Sequence, residues 1–224
     1  MVTYFEYAGQ DVAIGGEHLM YVVGLTGGIG TGKSVVVRVL EERGAAILDA
    51  DRVGHEVYLP GRAAYEEIVA EFGDSVVAED GTIDRKKLGP IVFSSPDKLA
   101  RLNAITHPRM KEMMREKLAD AERAGAKVVV LEAALLFDAG WDDLTDEVWV
   151  TVVDGETAAR RASERSGIPV GDVLERIQKA QMANEERIRR ANVVIDTSGT
   201  LEDTRRRTLE AWDQLERRLA VRGE

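Results

Sequence analysis

The sequence predicts an α/β protein: a parallel sheet flanked by helices, with a helical insertion and a further helical region late in the chain. Three observations carry that reading. Nearly all-apolar runs at residues 21–25, 127–131 and 147–153 have the pattern of strands covered on both faces. The first run is followed by a glycine-rich loop, a helical stretch and another apolar run at 45–49. Strand–helix–strand order calls for a parallel crossover. Finally, the 52–125 stretch between the second and third strands is longer than any crossover requires, which marks it as an inserted subdomain able to hold a second substrate.

The elements follow in order. Residues 1–19 show no helical period and contain Gly9, Gly15 and Gly16. They are expected to be a disordered extension, with the folded chain running from 20 to 224. Residues 33–43 form a helix that Gly44 ends in the left-handed conformation. Within the insertion, Asp80-Gly81 marks a turn and Pro96 can open a helix. Residues 108–124 carry Met110, Met113, Met114 and Leu118 at helical spacing, read as core packing. The late region 156–190 is basic and helical, broken at Ser166-Gly167-Ile168-Pro169. A last strand is expected at 192–195 and an amphipathic, surface-packed helix at 201–219.

Composition narrows the class. The 224 residues are 44% hydrophobic and 31% charged, enough apolar material for a core, and the net charge is -10. An acidic chain is a poor nonspecific nucleic-acid binder. Cysteine is absent and the three histidines lie far apart, so neither a disulfide framework nor a thiolate metal site is expected. No apolar run is long enough to span a bilayer, and residues 1–20 lack the apolar stretch of a secretory signal. A cytoplasmic protein without membrane or nucleic-acid partners is expected, as a monomer or small homo-oligomer.

The sharpest motif is Gly27-Gly28-Ile29-Gly30-Thr31-Gly32-Lys33-Ser34, a full match to G-x-x-x-x-G-K-[ST]. Its glycines allow a tight fold in which backbone N–H groups point at phosphate oxygens. The helix that follows adds its positive dipole end. Lys33 supplies a cation for the β- and γ-phosphates and Ser34 a hydroxyl ligand for magnesium. The fold is therefore of the P-loop NTPase type, with a nucleoside triphosphate and Mg2+ as the implied co-substrate pair. Asp49-Ala50-Asp51 lies at the end of the second strand, where a carboxylate can accept a proton from an attacking hydroxyl. Arg160, Arg161, Arg165, Arg187, Arg189 and Arg190 offer candidate clamps for a phosphoryl group. Two other readings stay open on these residues: another small-molecule kinase, or a GTPase-like switch using Asp51-Arg52-Val53-Gly54 as D-x-x-G. Against the switch, only one helix and one strand fit between Ser34 and Asp51, and N-K-x-D is missing.

Residues 24–34, Asp49-Ala50-Asp51, His107-Pro108, Leu135-Leu136-Phe137, Gln181 with Arg187, and Ala191-Asn192-Val193-Val194-Ile195-Asp196 together resemble, in order, the dephospho-coenzyme A kinase family. The resemblance implies a helical acceptor-binding insertion, a helical lid, and transfer from ATP to the ribose 3′-hydroxyl of dephospho-coenzyme A. It implies Asp51 as general base, Lys33 and Arg161 on the transferring phosphoryl group, and Ser34 on magnesium. Gly27 to Val35 would hold ATP, with Thr26, Asp51 and His107 facing the acceptor. Departures from the family are Val35 for a usual threonine, Ala134 for proline, Asp138 for glutamate and Thr197 for asparagine.

Overall fold

The computed structural model describes residues 20–174, 182 and 184–222. The expected N-terminal extension and Gln181 lie outside the described residues. The rest forms two compact units, one containing the residues up to Leu48 and from Asp120 onward, the other Asp49–Ala119.

The first unit is built on a five-stranded parallel sheet in the order β2-β3-β1-β4-β5. Its strands are β1 Tyr21–Gly27, β2 Ala46–Asp49, β3 Val128–Glu132, β4 Glu147–Val152 and β5 Val193–Asp196. The central strand β1 pairs in parallel with β3 on one side and β4 on the other, and β5 pairs in parallel with β4. All seven residues of β1 are buried, which is why its first five are an apolar run rather than an alternating pattern. Successive side chains point to opposite faces. Tyr21, Val23 and Leu25 join Val128, Val130, Trp149 and Ile195 in one core cluster. That cluster is closed by Val36 and Leu40 of helix α1 (Lys33–Glu42) and by Ala211, Trp212, Leu215 and Leu219 of the C-terminal helix, Leu201–Arg222. Each large side chain so covered contributes about 1.5–3 kcal/mol.

The expected β1 ends at Leu25, but the strand runs on to Gly27 because β4 supplies partners for Thr26 and Gly27 at Val150 and Thr151. The expected end of α1 holds, with Gly44 at φ 94°. At the amino end of β4, buried Glu147 takes hydrogen bonds from Trp149 Nε1 at 2.6 Å and Arg218 Nη2 at 2.6 Å. A buried carboxylate requires such partners. This pole of the sheet lies away from the phosphate loop and is structural.

The second unit contains helices α2 Ala50–Glu56, α3 Ala63–Phe72, α4 Arg85–Phe93 and most of α5 Pro96–Arg123. Its core is Ile68, Val76, Ile83, Leu88 and Val92 with half-buried Tyr58, Tyr65 and Ile105. The helix start expected at Pro96 and the helical spacing over 108–124 belong to a single element: α5 is one helix of 28 residues with Pro108 inside it. Proline removes the hydrogen bond to the carbonyl four residues earlier. That carbonyl belongs to Ala104, which is exposed and can turn to water. The methionines of α5 pack as expected, with Met110 and Met114 buried. Among the described residues no helix is long and apolar enough to cross a membrane.

The late basic region comprises α6 Gly155–Ser166 and α7 Asn184–Arg190. The C-terminal helix Leu201–Arg222 is numbered α8.

Candidate active site

The phosphate loop leaves β1 at Gly27 and enters α1 at Lys33. Gly32 takes the N-cap position of α1 at φ 79°, a conformation that favours glycine, and no side chain caps the helix. By contrast, α2, α4 and α6 are capped by the carboxylates of Asp49, Asp84 and Asp154. The start of α1 is thus open to an anion, where the helix end is electropositive and no side chain competes for its N–H groups. Lys33 Nζ lies back over the loop, donating to Gly27 O at 2.7 Å and Gly28 O at 3.5 Å. Ser34 is exposed on the first turn, and its hydroxyl makes no hydrogen bond to the protein among the described residues. Val35 contributes backbone alone, its N–H donating to Gly32 O at 3.0 Å.

The loop is fixed from beneath by residues far away in sequence. The buried Thr31 hydroxyl donates to Gly28 O at 2.8 Å and shares a 2.7 Å hydrogen bond with the Thr151 hydroxyl of β4. Thr197, just past β5 and 1% exposed, donates to Thr31 O at 3.0 Å. Arg161 on α6 donates in turn to the Thr197 hydroxyl at 3.3 Å and its carbonyl at 2.9 Å. Threonine at the position where asparagine was expected therefore ties the loop to α6. Arg161 forms no ion pair among the described residues, so its charge is left for an anion. Ile29 packs on Ala159, Ala162 and Val173, a second tie between loop and α6. The sequence marked Thr197 only as a departure from the family, and Thr151 could not be found as part of the site at all, because an isolated threonine carries no spacing signal.

Gly30 makes the joint tight. It sits at φ 74°, and a Cβ there would lie 2.1 Å from Ala158 O. Gly30→Ala is expected to cost about 2 kcal/mol or more in strain and displacement of α6. That lowers the melting midpoint by at least about 4 °C and weakens ATP binding, both readable in thermal scans with and without MgATP. An unchanged midpoint would mean that loop and helix are only loosely joined.

Thr26, expected to face the acceptor, is 1% exposed and donates to Ala134 O at a long 3.4 Å. Arg187, which the sequence offered as a candidate clamp and as part of the family resemblance, is a buried cation on α7. Its Nη1 donates to Asn184 Oδ1 at 3.5 Å, while Nη2 has no hydrogen-bond partner among the described residues. Burial lowers its pKa, and the nearby Asp138 carboxylate opposes that shift. Arg190 instead stacks over Phe137 and pairs with Asp142 at 2.8 Å, a structural role.

In the second unit, Asp49 ends β2 and caps α2, accepting from the N–H groups of Asp51 at 2.8 Å and Arg52 at 3.4 Å. The expected pair of carboxylates therefore divides: one is spent on the cap, and the other, Asp51, is exposed on the first turn of α2. The Asp51 carboxylate has no hydrogen bond or ion pair among the described residues. A base held by its backbone and free at its carboxylate suits proton abstraction. His107 is half-buried on α5, directly before Pro108.

Known proteins similar to this chain point to one family. A family model described as dephospho-CoA kinase matches residues 21–203. A dephospho-CoA kinase of Geobacter sulfurreducens is 46% identical over 193 residues, covering 86% of this chain and 98% of the relative. One from Thermobifida fusca is 45% identical over 203 residues, covering 91% of this chain and 100% of the relative. Among solved structures, TT1252 from Thermus thermophilus superposes with a TM-score of 0.73 at 35% identity, over 86% of this chain and 95% of that one.

Proposed function

The chain belongs to the dephospho-CoA kinase family, and on that premise we propose that it transfers the γ-phosphoryl group of ATP to the ribose 3′-hydroxyl of dephospho-CoA. The products are CoA and ADP, and the reaction is the final step of coenzyme A biosynthesis. The observation that carries the mechanism is the uncapped start of α1, where Lys33 and the glycine-folded backbone offer donors that no protein side chain caps.

In this mechanism Gly27 to Val35 cradle the phosphates of ATP. Asp51 accepts the proton of the 3′-hydroxyl as its oxygen bonds to the γ-phosphorus. The bond from the γ-phosphorus to the bridging oxygen breaks, and ADP leaves with the electron pair. Lys33 and Arg161 meet the charge spread over the transferring oxygens; such preorganised donors are worth more in the transition state than in the ground state. The exposed Ser34 hydroxyl, unengaged and on the first turn, fits a magnesium ligand. The ion would offset charge on the β- and γ-phosphate oxygens. Thr26 and His107 serve the acceptor, the 52–125 region binds it, and the 156–190 region acts as a lid that excludes water. The enzyme would work in the cytoplasm with MgATP, as a monomer or small homo-oligomer, without nucleic-acid or membrane partners.

The test is ADP release from MgATP with dephospho-CoA, beside adenosine, AMP, CMP, shikimate and no acceptor. Stimulation by dephospho-CoA alone, with CoA as product, is the expected result. Turnover with a different acceptor only would move the chain to another small-molecule kinase activity, and hydrolysis indifferent to every acceptor would end the kinase reading.

A further inference from the structure

The second unit contains an arginine–histidine pair that the phosphoryl-transfer chemistry does not use. His55 stands four residues after Asp51 on α2, so the two share one helix face about 6 Å apart along the axis. Arg85, the first residue of α4, donates through Nη1 to His55 Nε2. Arginine has only donors to give, so the ring nitrogen is the acceptor in this bond. Tyr58, just past the end of α2, completes the same edge. Burial pushes its phenol up, and the Arg85 charge pulls it back.

Arg85 differs from the arginines that brace this unit. Arg101 is paired with Glu71, and Arg109 with Glu67 at 2.8 Å. Arg85 has no carboxylate partner among the described residues, and its one bond goes to the His55 ring. Both Arg85 and His55 are exposed. An arginine held in place by an imidazole, with its remaining donors turned to solvent, is suited to a phosphate oxygen.

Resting on the function proposed above, we infer that Arg85 and His55 form the subsite for the 5′-diphosphate of the acceptor. In a nucleotide whose 3′-hydroxyl meets Asp51, the 5′-diphosphate lies across one ribose ring. That span is comparable with one turn of α2, the separation between Asp51 and His55. The pair thereby selects an acceptor that is a nucleoside 5′-diphosphate ester over the bare nucleoside.

The experiment measures kinetics of the full chain and of Arg85→Met and His55→Gln. For Arg85→Met, the KM for dephospho-CoA should rise about 10-fold or more, with the KM for ATP within about twofold. The Ki of adenosine, which lacks the diphosphate, measured as a competitor of dephospho-CoA, should stay within about twofold. Arg85→Lys should recover part of the loss, since it keeps the charge and gives up the planar fork. His55→Gln should move the same KM in the same direction by less. An unchanged KM for dephospho-CoA in Arg85→Met overturns the subsite. A Ki for adenosine that weakens in step with the KM also overturns it, since the pair would then be supporting the site as a whole. If the parent enzyme does not turn over dephospho-CoA, it is the proposed function that fails.

Discussion

Asp51→Asn is expected to lower kcat by about 10²–10⁴-fold, the usual worth of a positioned general base. Affinity for ATP should hold, because Asp51 lies outside the phosphate loop. Stability should hold as well. Asp49, not Asp51, caps α2, and the Asp51 side chain is exposed and makes no bond that an amide would break. Surface changes of this kind usually fall within about 0.5 kcal/mol. Steady-state kinetics with both substrates varied, beside a thermal scan, checks all three statements. A variant with parental kcat would remove Asp51 from the base role, and one with a lowered midpoint would assign it to structure.

Lys33→Ala should be as damaging by a different route. Removing one preorganised donor from a developing oxyanion costs about 10²–10³-fold in kcat. Here the lost group is a full charge, so kcat/KM for ATP should fall by at least about 10³-fold. Lys33 Nζ donates to Gly27 O and Gly28 O, so a thermal scan without nucleotide reads the structural part of the variant's loss. A ligand present at 100 times its Kd stabilises by about 2.7 kcal/mol. The parent should therefore show a clear rise in melting midpoint with saturating MgATP, and Lys33→Ala little or none at the same concentration. A preserved shift together with near-parental turnover would overturn the phosphate-loop assignment.

What was legible in the sequence was local. The phosphate loop could be read because its function lies in backbone geometry: glycines at fixed spacing, a lysine and a helix start fall within eight consecutive residues. The central strands could be read because burial on both faces leaves a continuous apolar run. The end of α1 at Gly44 was legible for a similar reason, as only glycine takes that φ cheaply. The division of labour between Asp49 and Asp51 was not, because capping depends on where the strand stops and the helix begins, a matter of one residue. Nor was the continuity of α5 through Pro108. Local rules predict a break there, and tertiary packing of Met110, Met114 and Leu118 along the helix outweighs it.

The sequence by itself determined the chemistry on offer: a phosphate loop with Lys33 and Ser34, a carboxylate at Asp51, and a parallel α/β frame to present them. The tertiary structure alone decided how the loop is supported and which charges are left unspent. Thr151 and Thr197 reach Thr31 from 120 and 166 residues away, and Arg161 hangs on Thr197 rather than on a carboxylate. Arg85 rests on His55 across 30 residues. The physical reason is that a hydrogen-bonding side chain has many possible partners along an unfolded chain, and only the packed sheet and helices select one.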